Sequence, residues 1–175
     1  DELMEGVRRP ERRDIYSCPY LLTSGMTRAK GNSAVRQMIH TDLDGLAVPA
    51  VTLTGSAIVG SGTPGHGHIY VRTSDSMTAA EHDVLCRALS GWLGGDSKYS
   101  DNDVLRPVGT LNHKTSSVGP GHPEAGAPLV VHWIRRPDGS APMTKADLAA
   151  ALGIPDLDTA ASTTSSRASS SRPGG

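Results

Sequence analysis

An α+β fold is the class this sequence predicts. Short apolar runs of strand character and longer segments of helical period both occur. They do not alternate in a regular βαβ rhythm, and no internal repeat is visible.

The elements follow in order. Residues 1–13 are charged and mixed in sign, and read as a poorly anchored lead-in. Ile15 to Leu22 is apolar with a proline inside, which suits a short edge strand. Thr23 to Ser33 is polar and reads as a loop. Ala34 to Asp44 reads as a strand ending in acids. Leu46 to Thr54 is ambiguous. Ser56–Gly60 and His68–Arg72 flank the Gly- and Pro-rich turn SGTPGHG, which predicts a hairpin with a wide loop.

Met77 to Leu93 carries the best helical pattern. Ser76 or Thr78 can cap it, with Glu81 three residues after Thr78. Val84, Leu85, Ala88, Leu89 and Trp92 fall on one stripe, and Gly94 and Gly95 end it. Val104 and Leu105 lead into RPVGTLNHK. Pro128 to Ile134 reads as a strand, Pro137–Gly139 as a turn, and Met143 to Leu152 as a short helix capped by Thr144. From 158 to 175 the chain is rich in Ser, Thr and Ala, and is expected to be disordered.

Composition sets bounds. The 175 residues are 37% hydrophobic and 20% charged, enough for one domain with a tail. No run of apolar residues is long enough to cross a membrane, and no signal-peptide pattern opens the chain. The chain begins with Asp1, which points to a fragment or a processed product. Two cysteines, Cys18 and Cys86, make no disulfide framework, so a reducing cytoplasm is the expected setting. The net charge is -1, and aromatics are 3% with no Phe. That argues against an obligate DNA-coating protein and against a broad base-stacking platform.

Asp42 and Asp44 stand two apart in a strand, so their side chains share a face. Adjacent carboxylates repel unless a cation lies between them, and Mg²⁺ favours such oxygen ligands. A strand end carrying two hydrated acids fits the same pattern. In SGTPGHGHIYV the small residues let backbone N–H groups approach an anion, and His68 can donate to a phosphate oxygen or bind a metal. Asp96, after Gly94 and Gly95, can supply a third acid; Asp75, Asp83, Asp101 and Asp103 compete with it. RPVGTLNHK gathers Arg106, Asn112 and Lys114 in one loop, chemistry suited to phosphate and sugar edges. His40, His82, His113, His122 and His132 show no ligand spacing, and the cysteines read as small buried residues.

Taken together, HTDLDG, GSGTPGHGHIYV, GGD and VLRPVGTLNHK occur in an order that resembles the archaeo-eukaryotic primase superfamily. The resemblance is greatest to the bifunctional primase-polymerase (prim-pol) domains of plasmids and phages, and covers about Ile15 to Lys114. It implies an RRM-like antiparallel sheet with flanking helices plus a small N-terminal α/β unit, with residues 14–157 as the prim-pol catalytic domain. It implies Asp42, Asp44 and Asp96 as ligands of two Mg²⁺ or Mn²⁺ ions. His68, Ser61 and Gly62 would meet the nucleotide's phosphates, and Arg106, Asn112 and Lys114 would close over nucleotide and template. The implied partners are nucleoside triphosphates, a single-stranded DNA template with primer, and a replicative helicase. His66 is an additional histidine, and Val108 stands where a Pro is common in the family.

Two other classes of function compete. His66-Gly67-His68 could form the metal pair of an HUH-type rolling-circle or relaxase nuclease, but Tyr99 lacks the expected Lys three residues on. A non-catalytic replication DNA-binding module could keep the same fold.

Overall fold

The computed structural model describes residues 15–23, 25, 27–44, 53–63, 65–96, 100–113 and 128–170, the last six by backbone alone. Its centre is a four-stranded antiparallel sheet in the order β1-β3-β2-β6. β1 is Met38–Leu43, β2 is Ser56–Gly60, β3 is Gly67–Arg72 and β6 is His132–Arg135. Two short strands, β4 (Leu111–Asn112) and β5 (Leu129–Val130), pair beside it. This is the expected α+β class.

The period-two pattern sorts the sheet faces. Ile39 and Leu43 of β1, Ile58 of β2, and Ile69 and Val71 of β3 are buried in one apolar cluster. The alternate residues, Met38, Asp42, Ala57, Val59, His68 and Tyr70, therefore point to the other face. β2 and β3 form the expected hairpin, with Gly60 opposite Gly67. The turn closes by Ser61 N–H donating to His66 O at 3.0 Å. Gly67 is required there, because a Cβ would stand 2.5 Å from Val59 O.

Helix α1 is Ala79–Leu93, with Thr78 as N-cap and a full capping box to Glu81. Gly94 ends it at φ 66°, a left-handed conformation suited to glycine. The buried stripe follows the expected one at Leu85 and Leu89, with Val84 packed against the same core, and departs from it at Trp92. Leu85, Cys86 and Leu89 are buried with His82, whereas Trp92 is 48% exposed. The apolar count favoured Trp92, but the face is turned toward β1 by polar residues that the sheet buries.

α2 (Lys145–Ala151) is capped by Thr144 as expected. α3 (Leu157–Ser170) overturns the expectation of a disordered tail over 158–175, apart from 171–175, which lie outside the described residues. Leu157 and Ala161 are buried, and α3 packs on α1. Asp156 caps α3, accepting from Thr159 N–H at 3.0 Å, and the Ser162, Thr163 and Thr164 hydroxyls bond back to carbonyls one turn earlier. Small residues suffice for close helix packing, which composition alone undervalues.

The expected edge strand at Ile15–Leu22 is instead a pair of isolated bridges, Ser17 to Leu105 and Leu22 to Ser33. Pro19 lacks the N–H a continuous ladder needs. The ambiguous segment Leu46–Thr54 is described only from Leu53. Among the described residues no helix is long and apolar enough to cross a membrane.

Candidate functional site

β1 is an edge of the sheet, and its pairing with β3 sets Asp42 directly opposite His68. The His68 Nδ1–H donates to Asp42 Oδ1 at 2.9 Å, and both side chains are buried. Antiparallel register carries the pairing outward. Two residues on, past the strand end, Asp44 Oδ1 accepts from His66 Nδ1–H at 2.8 Å, in an exposed position. His66 is therefore a partner of the acid pair, a role that sequence reasoning left unassigned. The equal spacing of the two acids and the two histidines was the available signal.

Asp96 is brought in by the end of α1. Gly95 N–H and Ser90 Oγ tie the helix terminus, the latter donating to Asp96 O at 2.6 Å. Asp96 N–H then donates to Asp42 O at 3.1 Å. This docking depends on Gly95, where a Cβ would lie 2.6 Å from Thr41 Oγ1 and 2.8 Å from Asp42 O. The outcome is a convergence: one carboxylate oxygen from each of Asp42, Asp44 and Asp96 falls within 4.8 Å of the others. Asp42 is buried, Asp96 half-buried and Asp44 exposed, so the cluster opens to solvent on one side. Hard oxygen donors at that spacing suit a divalent cation such as Mg²⁺ or Mn²⁺.

The competing acids have other duties. Asp101 accepts from Arg36 Nε and Gly31 N–H, both at 2.9 Å. Asp83 pairs with Lys30 and Arg87, and Asp75 accepts from Lys145 N–H. Burial would raise Asp101 and Asp83, but their hydrogen bonds outweigh it and hold both below the usual carboxylate range.

The loop residues sit around this centre. His68 Nε2 is a buried nitrogen with no hydrogen-bond partner among the described residues. Ser61 is buried, and its carbonyl accepts from Asn112 Nδ2 at 2.9 Å. Asn112 thus anchors the turn rather than standing open to a ligand. Gly62 has φ 92°, and a Cβ there would lie 2.5 Å from Leu129 Cβ, so it fixes the turn against β5. Arg106 lies 4.6 Å above the Tyr16 ring and also donates to its hydroxyl. It lines a cavity of about 300 Å³ on the open sheet face, with Met38, Val59, Tyr70, Pro107 and Trp133. Asp42 and His68 stand on that same face. Burial and the Asp42 charge push the Tyr70 hydroxyl up. Lys114, Tyr99 and His122 lie outside the described residues.

His66 and His68 each face a different carboxylate, so the HxH segment is not arranged as a joint metal pair. Two residues read as unremarkable are not: His40 and His82 converge with Cys86 in a second buried group.

No family model matches the chain. No curated protein matches it. Among solved structures it is similar to the AEP domain (PP-N190) of the cyanophage S-2L primase-polymerase, with 13% identity and a TM-score of 0.52 over 71% of this chain and 64% of that one. It is also similar to primase RepB', with 15% identity and a TM-score of 0.49 over 78% of this chain and 46% of that one. The chain thus spans less than two thirds of the length of each. The first likeness establishes the fold, an α+β arrangement shared with a primase-polymerase AEP domain.

Proposed function

We propose that this chain is a primase-polymerase catalytic domain, spanning 14–157, that makes or extends primers by template-directed nucleotidyl transfer in plasmid or phage replication. One observation carries the reading. Three acids distant in sequence, Asp42, Asp44 and Asp96, meet within 4.8 Å beside His68, on a fold similar to that of a cyanophage primase-polymerase domain.

The carboxylates of Asp42, Asp44 and Asp96 fit a pair of Mg²⁺ or Mn²⁺ ions, which would supply activation of a primer 3′-hydroxyl and charge neutralisation at the triphosphate. The chain's own residues do the rest. Asp42 fixes His68 through Nδ1, which leaves Nε2 to donate to a phosphate oxygen once the ring is protonated. Asp44 holds His66 at the rim in the same way. The turn at Ser61 and Gly62, tied by Asn112, presents backbone to the phosphates. Arg106 and Lys114 offset triphosphate charge. Positioning and electrostatics of this kind provide most of the rate in phosphoryl transfer. The partners are nucleoside triphosphates, a single-stranded DNA template with primer and a replicative helicase, and the setting is the cytoplasm.

Purified protein given template, primer, nucleotides and Mn²⁺ extends the primer. Asp42→Ala with Asp44→Ala lowers extension by at least on the order of 10³-fold while the melting curve stays cooperative. Undiminished extension in that variant removes the site. DNA binding that ignores chelator, with no incorporation by the unmodified protein, establishes the non-catalytic module instead.

A further inference from the structure

Where α1 meets the edge strand β1, four polar side chains converge, with His40 on the same strand face as Asp42. His40, on β1, is fully buried; so is Cys86 on α1, and His82 is 2% exposed. Tyr20, from the segment before β1, is 6% exposed. Burying this many polar groups opposes folding unless they satisfy one another or a ligand. His82 and Cys86 are four residues apart, the spacing that stacks two side chains on one helix face.

The geometry is convergent. Tyr20 Oη lies 2.6 Å from His40 Nδ1 and 2.8 Å from His82 Nε2. Cys86 Sγ lies 3.4 Å from His82 Nε2. One ligand atom each from His40, His82 and Cys86 falls within 4.8 Å of the other two. On the far side of its ring, His40 Nε2 is 3.4 Å from Asp103 Oδ2. A carboxylate there sets the tautomer, so the Nδ1 lone pair faces the centre, as outer partners do for metal-bound histidines.

We propose that His40, His82 and Cys86 form a closed structural Zn²⁺ site, with the Tyr20 oxygen at the fourth corner and Asp103 as the outer partner of His40. Two imidazoles, one sulfur and an oxygen form a borderline donor set that suits zinc over Mg²⁺ or Mn²⁺. Exclusion of water fits a structural rather than a catalytic ion. Cys86 is a free, buried thiol. On zinc entry the S–H bond breaks, the Zn–S bond forms, and one proton leaves to solvent. The ion would clamp β1, which carries Asp42, to α1, whose end delivers Asp96. The inference stands apart from the polymerase reading, since neither requires the other.

The test uses the full chain, freed of any metal-binding tag, in the Asp42→Asn, Asp44→Asn background so that the acid cluster cannot contribute. One equivalent of Zn²⁺ is expected by elemental analysis, with a fall in Tm when a strong chelator strips it. Co²⁺ loaded in its place gives a thiolate charge-transfer band, which carboxylates cannot produce. Cys86→Ser abolishes that band and Cys18→Ser keeps it. Asp103→Asn leaves a folded protein that binds Zn²⁺ roughly 10–100-fold more weakly. Absence of stoichiometric zinc, a Co²⁺ spectrum without the sulfur band, or unchanged affinity in Cys86→Ser and Asp103→Asn overturns the site and leaves a hydrogen-bonded relay. None of these readouts uses polymerase activity.

Discussion

Asp42 and Asp44 each accept from one histidine, but the two pairs are unequal. The His68–Asp42 pair is buried, so its hydrogen bond acts where water does not compete. The His66–Asp44 pair is exposed, and exposed pairs contribute only about 0–1 kcal/mol. His68→Ala is therefore expected to lower kcat/KM for nucleotide addition by on the order of 10²-fold. His66→Ala costs less than about tenfold, because 1.4 kcal/mol corresponds to tenfold and the pair falls short of that. Steady-state kinetics of both variants check the order. If His66→Ala proves the more damaging, the rim histidine rather than the buried one meets the phosphates.

At the level of elements, α1 has two ends with separate tasks. Its start is a capping box, so Thr78→Ala removes about 1 kcal/mol and lowers Tm while primer extension persists. Its finish is a docking point. Gly95 lies so near Thr41 and Asp42 that any Cβ forces a shift, and Asp96 moves with it. Gly95→Ala is thus expected to reduce extension by on the order of 10²-fold, the scale of an ångström-sized misplacement. Comparing the two variants at equal folded fraction separates positioning from stability. The same helix shows where sequence reading stops. The capping pattern and terminal glycines are local signals, so both ends of α1 were legible. The buried face was legible at Leu85 and Leu89 but not at its edges, because His82 is buried and Trp92 is left half out. Helical period identifies a stripe, while tertiary packing selects which stripe is covered.

Across the molecule, ion pairs to two buried acids join the loop segments to the sheet and helix. Arg36, which leads into β1, pairs with Asp101, and Lys30 reaches Asp83 on α1. Both acids titrate below the ordinary 3.8 in the folded chain. Their contribution to stability is complete above that value and is lost as pH falls through the lowered folded values. Tm is expected to drop below pH 3.8. Asp101→Asn should flatten that drop and cost about 3 kcal/mol at neutral pH, since it strands a buried guanidinium. A steeper acid transition in the variant would contradict this account. The hairpin, the acid pair and the α+β class could be read from alternation and turn residues. The convergence of Asp96 on Asp42 was legible only through the family resemblance and not through spacing, because it arises from a backbone contact between a helix end and an edge strand. Likewise Ser/Thr/Ala composition concealed α3, whose order comes from small residues fitting against α1.

The placement of Trp133 has a practical corollary. It borders the open-face cavity, whereas the chain's other indole, Trp92, projects from the outer side of α1. Replacing Trp92 with Phe leaves Trp133 as the single tryptophan, beside the proposed nucleotide path, an optical probe that needs no label when excited apart from the tyrosines. Emission that dims as a triphosphate is titrated would follow occupancy in real time.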